Sequence, residues 1–401
     1  MFDVRTVFVA VLLVASVVVP VGGAAAQQGD AYAGTHVEFE TTSDAIVDYS
    51  VNGDTVIESV KVQSESAAES QGTVGVDAGL SAVTELTAAA VALESNTQVG
   101  ATVSVESGAT MRAHDNSKGV LVVRSGGSSQ YVTANVSAAS QADAKSDSRV
   151  VVTSEDGTTG TFLVVGDGSV TVNERGDVAA NLGSDGKLVF RSYPQGRDDA
   201  DRNQERLITE GQAAAEVYLV PKTESGGDLA VDVVQYGEET TVEVTQRTEG
   251  TVEMTAERSS NQGTVVITTV SERAMGSVED LQVTVDGEAA ARASSYSELR
   301  STVDGGDSSA FLVEERASAQ ANADVLVAVN HFSERRIAMQ SDGGDGGDAA
   351  GGSDDGSSSD DSSGDGDAGD AESTGGNGPG FGAGAALAAL LGAALIASRR
   401  V

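Results

Sequence analysis

The sequence predicts a mainly β protein: two Val/Ala-rich β-sandwich-like domains with one or two short helices. Three observations carry the prediction. Short runs rich in Val, Ile and Thr recur at regular spacing from Val37 to Gln340, as in all-β folds. Asn-Gly, Asp-Gly and Gly-Gly pairs punctuate them, and such pairs supply the positive φ angles that tight turns need. With eight Phe, seven Tyr and no Trp, the cores have to be filled by Val and Ala.

Taken in order, Val37 and Phe39 alternate with charged residues, the period of a half-buried strand. Ile46–Val51 and Val56–Val62 flank Asn52-Gly53, a strong hairpin signal. Leu80–Leu93 fits either state, since Leu80, Val83, Leu86, Ala90 and Leu93 follow a helical period while the threonines between them also suit a strand. Strands follow at Val103–Val105, Val120–Val123, Tyr131–Val136, Val150–Val152, Phe162–Val165, Val170–Val172 and Leu188–Phe190. Gly126-Gly127, Asp156-Gly157, Asp167-Gly168 and Asp185-Gly186 mark turns between them. A β-helix-like segment over Val103–Phe190 stays open as an alternative, because short strands, small residues and Gly turns suit it too; no strict repeat period supports it.

Asp198–Ala215 is predicted helical: Asp198, Asp199 and Asp201 suit the positive end of a helix dipole, and Asp198 and Arg202 stand at ion-pairing distance in sequence. Pro221–Asp228 reads as a domain boundary. Beyond it strands are expected at Leu229–Gln235, Thr240–Thr245, Thr251–Ala256, Thr264–Val270, Leu281–Val285, Ala310–Glu314, Asp324–Asn330 and Arg336–Gln340, with a short helix at Ser295–Val303. The expected organisation is 1–26 signal peptide, 27–220 first β-rich domain, 221–340 second β-rich domain, 341–378 acidic stalk and 379–401 C-terminal signal with an apolar helix.

Charge narrows the class of partner. The chain has a formal net charge of −37, and Gln27–Gln340 alone holds 49 acidic against 21 basic residues. Only five of the 24 basic residues are lysine. Such a surface repels itself in dilute buffer, whereas in molar salt the Debye length shrinks to ~3 Å and the repulsion is screened. Nucleic acid is excluded as an expected partner, since phosphate binding needs basic patches. The absence of Cys removes disulfides, thiol chemistry and N-terminal lipidation at a cysteine.

Both ends carry address signals. Arg5, the apolar run Val7–Val19 and the small residues Ala24-Ala25-Ala26 form a signal peptide with cleavage expected after Ala26. Ser341–Gly378 has 11 acidic residues, no base and no large apolar residue; such a segment buries too little to fold and as a coil spans roughly 35 Å root-mean-square. Then come Pro379-Gly380-Phe381, an uncharged run Gly382–Ala397 carried by Leu387, Leu390, Leu391, Leu395 and Ile396, and Arg399-Arg400. That run is short against the ~20 apolar residues of a permanent span, and the terminal arginines suit a cytoplasmic face.

This tail resembles the PGF-CTERM sorting signal of archaeal surface proteins, and the acidic, Lys-poor composition resembles that of haloarchaeal proteins. The resemblance covers Pro379–Val401 and, in style, the stalk. It implies that an archaeosortase recognises Pro379, Gly380 and Phe381, removes the apolar helix and joins the new C-terminus to a membrane lipid. The protein would then sit at the cell surface, exported and held on the cytoplasmic membrane by its C-terminus.

Catalytic motifs are sparse. His36, His114 and His331 lie in no paired-ligand spacing, so a zinc site has no local support, and each reads as a surface or satisfied histidine. No GxSxG elbow is present. Carboxylate pairs occur everywhere in so acidic a chain; no DxDxDG calcium loop is intact, and Asp304-Gly305-Gly306-Asp307 reads as turn chemistry. Arg197, Arg202 and Arg206 are interleaved with acids and are expected to neutralise them. Asn135-Val136-Ser137 is a candidate N-glycosylation sequon, placed in a predicted strand. No metal or cofactor is expected. The reading is a non-enzymatic surface protein with a structural, adhesive or ligand-binding ectodomain, its partners the archaeosortase, membrane lipid, and a surface layer or extracellular glycan. The alternative is a surface hydrolase whose site is assembled from distant residues.

Overall fold

A computed structural model describes residues 29–341, apart from short stretches at 73–78, 138–139, 156, 222–228, 238–239, 249, 259–261, 276–277, 316–321 and 332–333. The expected signal peptide with Ala24 and Ala26, the expected stalk beyond Ser341, and Pro379-Gly380-Phe381 with the apolar run lie outside the described residues.

The first part of the chain is a two-sheet sandwich. Its strands are β1 (Ala31–Ala33), β2 (Val37–Thr41), β3 (Ile46–Val51), β4 (Asp54–Ser64), β5 (Val91–Thr97), β6 (Gly100–Val105), β7 (Thr110–His114), β8 (Leu121–Arg124), β9 (Gln130–Val136), β10 (Ser140–Ser146), β11 (Arg149–Ser154), β12 (Thr159–Val165), β13 (Gly168–Val172), β14 (Val178–Leu182) and β15 (Lys187–Tyr193). One sheet runs β1-β2-β3-β4-β9-β14-β13 and the other β10-β11-β12-β15-β8-β7-β6-β5. Every pairing recorded in these two sheets is antiparallel, which decides for the sandwich over the β-helix. Alternation does the folding. In β2, Val37, Phe39 and Thr41 turn inward while Glu38 and Glu40 face solvent. The β3–β4 hairpin turns at Asn52 (φ 54°) and Gly53 (φ 89°), the paired positive angles of a type I′ turn. The core between the sheets holds Val, Ile and Leu with Tyr32, Phe39, Tyr49, Phe162 and Phe190 as its aromatic members. A short helix α1 (Glu65–Ser70) and the segment around Val83 and Leu86 cover part of the outer face of the first sheet. The ambiguous stretch Leu80–Leu93 is a 3₁₀ turn at Leu80–Ala82 followed by extended chain leading into β5.

The helix expected over Asp198–Ala215 forms as α2 (Asp199–Thr209) and ends sooner. Gly211 stops it at φ 69°, and Ala213 already begins a strand. That strand is β16 (Ala213–Pro221), followed by β17 (Leu229–Gln235), β18 (Thr240–Thr248), β19 (Thr251–Arg258), β20 (Thr264–Ser271), a four-residue α3 (Glu272–Met275), β21 (Leu281–Val285), β22 (Glu288–Ala289), β23 (Ala291–Arg292), α4 (Tyr296–Val303), β24 (Ala310–Glu315), β25 (Asn322–Val329) and β26 (Glu334–Ser341). They form a sheet β17-β16-β20-β25-β24-β23 facing a sheet β18-β19-β26-β21-β22. β16 and β17 pair directly across the stretch read as a boundary, with Pro221 opposite Leu229. That stretch therefore connects two strands of one sheet, and the passage into the second sandwich comes earlier, at Gly211.

A third core joins the sandwiches. Val122, Leu163, Val165 and Val189 from the β15-containing sheet pack with Leu207 and Ile208 of α2, Leu299 of α4, and Tyr218, Val234, Ile267 and Leu326 from the β16-containing sheet. Four sheets are thus stacked, with α2 and α4 at the middle junction. This is why all seven residues of β15 are buried: Leu188 and Phe190 face the first core while Val189 faces the junction. Among the described residues no helix is long and apolar enough to cross a membrane.

Candidate functional site at the junction of the sandwiches

The loop from His114 to Gly119, between β7 and β8, is where polar chemistry concentrates. Asp115 accepts hydrogen bonds from the backbone N–H groups of Thr35, His36 and Val37 at 2.7, 2.6 and 2.8 Å. It thereby pins the β1–β2 turn. Gly34 makes this approach possible, since a Cβ there would lie 2.5 Å from the Asp115 carboxyl carbon. Gly119 closes the loop at φ 49°, where a Cβ would fall 2.3 Å from Val51 Cγ2.

The same loop reaches into the second sandwich. His114 Nδ1 lies 2.7 Å from Asp232 Oδ1, and Asn116 Nδ2 donates to Asp232 Oδ2 at 2.8 Å. Acceptance by the carboxylate assigns the proton to Nδ1. Asn116 Oδ1 in turn accepts from the Lys118 backbone N–H at 3.1 Å. Lys118 Nζ donates to Gln204 Oε1 at 3.0 Å and stands 3.7 Å from Asp324 Oδ2. Gln204 Nε2 and Thr269 Oγ1 donate to Asp324 at 2.6 and 2.7 Å. Deeper in the junction, Arg191 Nη2 donates to Gln204 Oε1 at 3.1 Å and pairs with Glu216 at 3.0 Å, while the Tyr218 hydroxyl donates to the other Glu216 oxygen at 2.5 Å. Arg191 Nε and Nη1 and Thr161 Oγ1 meet no acceptor among the described residues.

A second cluster centres on Glu205 of α2. It accepts from the Tyr193 hydroxyl at 2.9 Å and Arg197 Nε at 2.6 Å, with Arg149 at 3.4 Å. Burial raises the Glu205 pKa, but the Arg197 hydrogen bond and the charges of Arg197 and Arg191 outweigh it and hold the carboxyl below its ordinary range. At Arg191 burial is the largest single effect and opposes the charge, but Glu216 together with Tyr193, Tyr236 and Tyr218 outweighs it and holds the guanidinium above its ordinary value.

The pattern has a sign. The cations Lys118, Arg191 and the partly exposed Arg149 come from the first sandwich, as does the hydrogen-bonding His114; the acids Glu216, Asp232 and Asp324 come from the second, with Glu205 from the helix between them. Charges this deeply buried are costly unless paired and hydrogen-bonded. The geometry therefore fixes how one sandwich seats on the other, because a shift of either sheet would strand several ions at once.

The three histidines do not converge on one site. His36 is partly exposed, its Nδ1 2.9 Å from Asn52 Oδ1. His331 is exposed and its carbonyl accepts from Arg335 Nε. His114 is buried against Asp232, at 2% and 0% side-chain exposure. Of the arginines expected to neutralise acids, Arg197 pairs with Glu205 and Arg202 with Asp199. Asp198 is not the partner of Arg202: its carboxylate caps α2 by accepting from the Asp201 N–H at 2.8 Å. Asn135 is half-buried in β9, opposite Ser59 of β4, within a sheet rather than on a loop. Among the described residues no group of three His, Asp or Glu side chains is placed to hold a metal ion.

Sequence reasoning missed the junction, although two signals were present. Two of the five lysines, Lys118 and Lys187, are buried. Glu216, Asp232 and Asp324 each interrupt an apolar strand, in Ala-Glu-Val-Tyr, Val-Asp-Val-Val and Ala-Asp-Val-Leu. A lone acid in a Val-rich strand of a sheet buried on both faces needs a buried partner. No protein-family model matches the chain, and no curated protein matches it.

Proposed function

We propose that this chain is an exported surface protein of a high-salt archaeon, anchored by its C-terminus, whose ectodomain acts by binding or scaffolding rather than by catalysis. The observation that carries the reading is the order of segments after the fold. The last described strand, β26, ends at Ser341, where the acidic Ser/Gly/Asp stretch begins; Pro379-Gly380-Phe381, the apolar run and the arginine pair follow in that order. A stack of two sandwiches locked by buried ion pairs suits a rigid ectodomain lifted from the membrane on a charged tether. The terminal segment would be replaced by lipid after cleavage near Pro379, with an archaeosortase as processing partner and a surface layer or extracellular glycan as the contact of the folded part.

The test is mass spectrometry of the C-terminal peptide of protein extracted from native membranes. The expected result is loss of the sequence beyond the Pro379 region together with added lipid mass. An intact peptide reaching Val401 would instead make this a protein that keeps its terminal helix.

A surface hydrolase would draw on the His114–Asp232 pair, the arrangement that favours such a reading. The pair is closed to solvent and both groups serve the junction, so the binding reading is preferred. Replacement of His114 with activity measured on ester, peptide and glycan substrates separates the two.

A further inference from the structure

At the edge of the junction, α2 and α4 enclose a groove of about 340 Å³ lined by Arg206, Tyr296, Ser297, Arg300, Ser301 and Asp304. Two features of its lining point to a ligand. First, it brings two guanidiniums together on a body with 49 acidic residues. Arg206 is exposed and makes no ion pair among the described residues. Arg300 pairs with Glu210 at 2.8 Å, with about a third of each side chain exposed. A surface pair of that kind contributes little and leaves further N–H donors of the guanidinium fork for a ligand. Each arginine stands in the last turn of its own helix, where a cation suits the dipole, but the dipoles do not account for both lining one groove.

Second, the groove has an aromatic wall. Among the described residues all phenylalanines and tyrosines are buried except Tyr131 and Tyr296. Tyr131 packs against the small cluster under α1. Tyr296 also packs in part against the third core, but it lines the groove as well, and its hydroxyl lies between the Glu314 carboxylate at 2.5 Å and the Ala200 carbonyl at 3.2 Å, so its exposed part is a fixed surface beside the arginines. Sites at domain junctions that combine an aromatic face with a few convergent polar groups are where ligands bind.

We infer that this groove binds an acidic sugar unit, a pyranose bearing a carboxylate or sulfate, within an extracellular polysaccharide. The oxyanion meets the Arg206 and Arg300 forks, the geometry that guanidinium recognises in pairs. The sugar ring lies against Tyr296, and Ser297, Ser301 and Asp304 meet its hydroxyls. Asp304 also discriminates against a second oxyanion at that end. This inference rests on the surface-protein reading above for the source of the polymer, not for the chemistry of the groove.

The test is calorimetric titration of the full-length protein, in the salt that keeps its β circular dichroism intact, with trigalacturonate, its uncharged methyl ester, and a sulfated trisaccharide. Binding of at least one acidic sugar is expected, with the ester weaker by about tenfold or more. Binding of only the carboxylated or only the sulfated sugar assigns the oxyanion. Arg206→Gln and Arg300→Gln should each weaken binding about tenfold, and Tyr296→Ala should also weaken it. Arg202→Gln, which removes an exposed guanidinium from the same helix outside the groove, should leave binding unchanged. Absence of binding, equal binding of the ester, or an Arg202→Gln loss matching that of Arg206→Gln would overturn the inference. A lipid-anchored protein that binds no acidic sugar refutes the groove alone, whereas saccharide binding by a protein whose C-terminus is intact refutes the anchoring alone.

Discussion

Replacement of Asp232 tests the claim that buried ions lock the two sandwiches. Its carboxylate accepts from His114 Nδ1 at 2.7 Å and from Asn116 Nδ2 at 2.8 Å, both from the first sandwich, and it is 1% exposed. Hydrogen bonds to a charged group contribute roughly 1.5–3 kcal/mol each. Removing one member of a buried, hydrogen-bonded pair costs about 3–5 kcal/mol, because the partner is left desolvated and unpaired. Asp232→Ala should fall in that range. For a folded unit of some 300 residues this lowers Tm by roughly 6–10 °C, at ~2 °C per kcal/mol. Asp232→Asn keeps one acceptor oxygen and should lose less. Scanning calorimetry on the single variants and on His114→Ala/Asp232→Ala completes a double-mutant cycle. The expected coupling is at least ~1.5 kcal/mol, since once Asp232 is gone the imidazole has lost its acceptor. An Asp232→Ala cost below about 1 kcal/mol, or additivity within ~0.5 kcal/mol, would show that the contact does not hold the junction.

Two further outcomes follow from the same geometry. Asp115→Ala removes the acceptor of three backbone N–H groups at 2.6–2.8 Å; water can reach exposed Thr35, so a loss of roughly 2 kcal/mol is expected, with faster amide exchange at Thr35, His36 and Val37, and unchanged exchange there would refute the pinning role. Burial, aided by the charges of Asp115 and Asp232, pushes the Tyr32 phenol up to about 12, and burial holds Tyr49, Tyr193, Tyr218 and Tyr236 well above the ordinary tyrosine value. A folded-state pKa above the unfolded value of ~10 gives stability that is complete below pH ~10 and is lost as pH rises past it, through about 12 for Tyr32. Phenolate absorbance should therefore rise together with unfolding. Ionisation of these tyrosines near pH 10 with the fold intact would contradict their burial.

Much of the secondary structure was legible because it depends on neighbours in sequence. Val37-Glu38-Phe39-Glu40 alternates because one side of β2 is wet, and Asn52-Gly53 turns because those two residues tolerate positive φ. The candidate site was not legible, for a corresponding reason. His114 and Asp232 are 118 residues apart, and Gln204 and Asp324 are 120 apart; no local pattern links them. The domain boundary misled because Pro221–Asp228 has the composition of a linker, and only the β16–β17 register shows that it joins two strands of one sheet.

Composition and local order by themselves determined the β class, the sparse aromatic content of the cores, the acidic charge, and the sequence of address-like segments at the two ends, since each is a property of residues read singly or in short windows. The tertiary structure alone decided that two sandwiches stack through a third core, that Asp232 finds its donors and Glu216 and Asp324 their cationic partners across it, and that Arg206 and Arg300 line one groove with Tyr296. Those facts depend on which sheet faces land on each other, and that is settled by the burial of apolar surface over the whole chain and by the pairing of charges that the burial would otherwise strand.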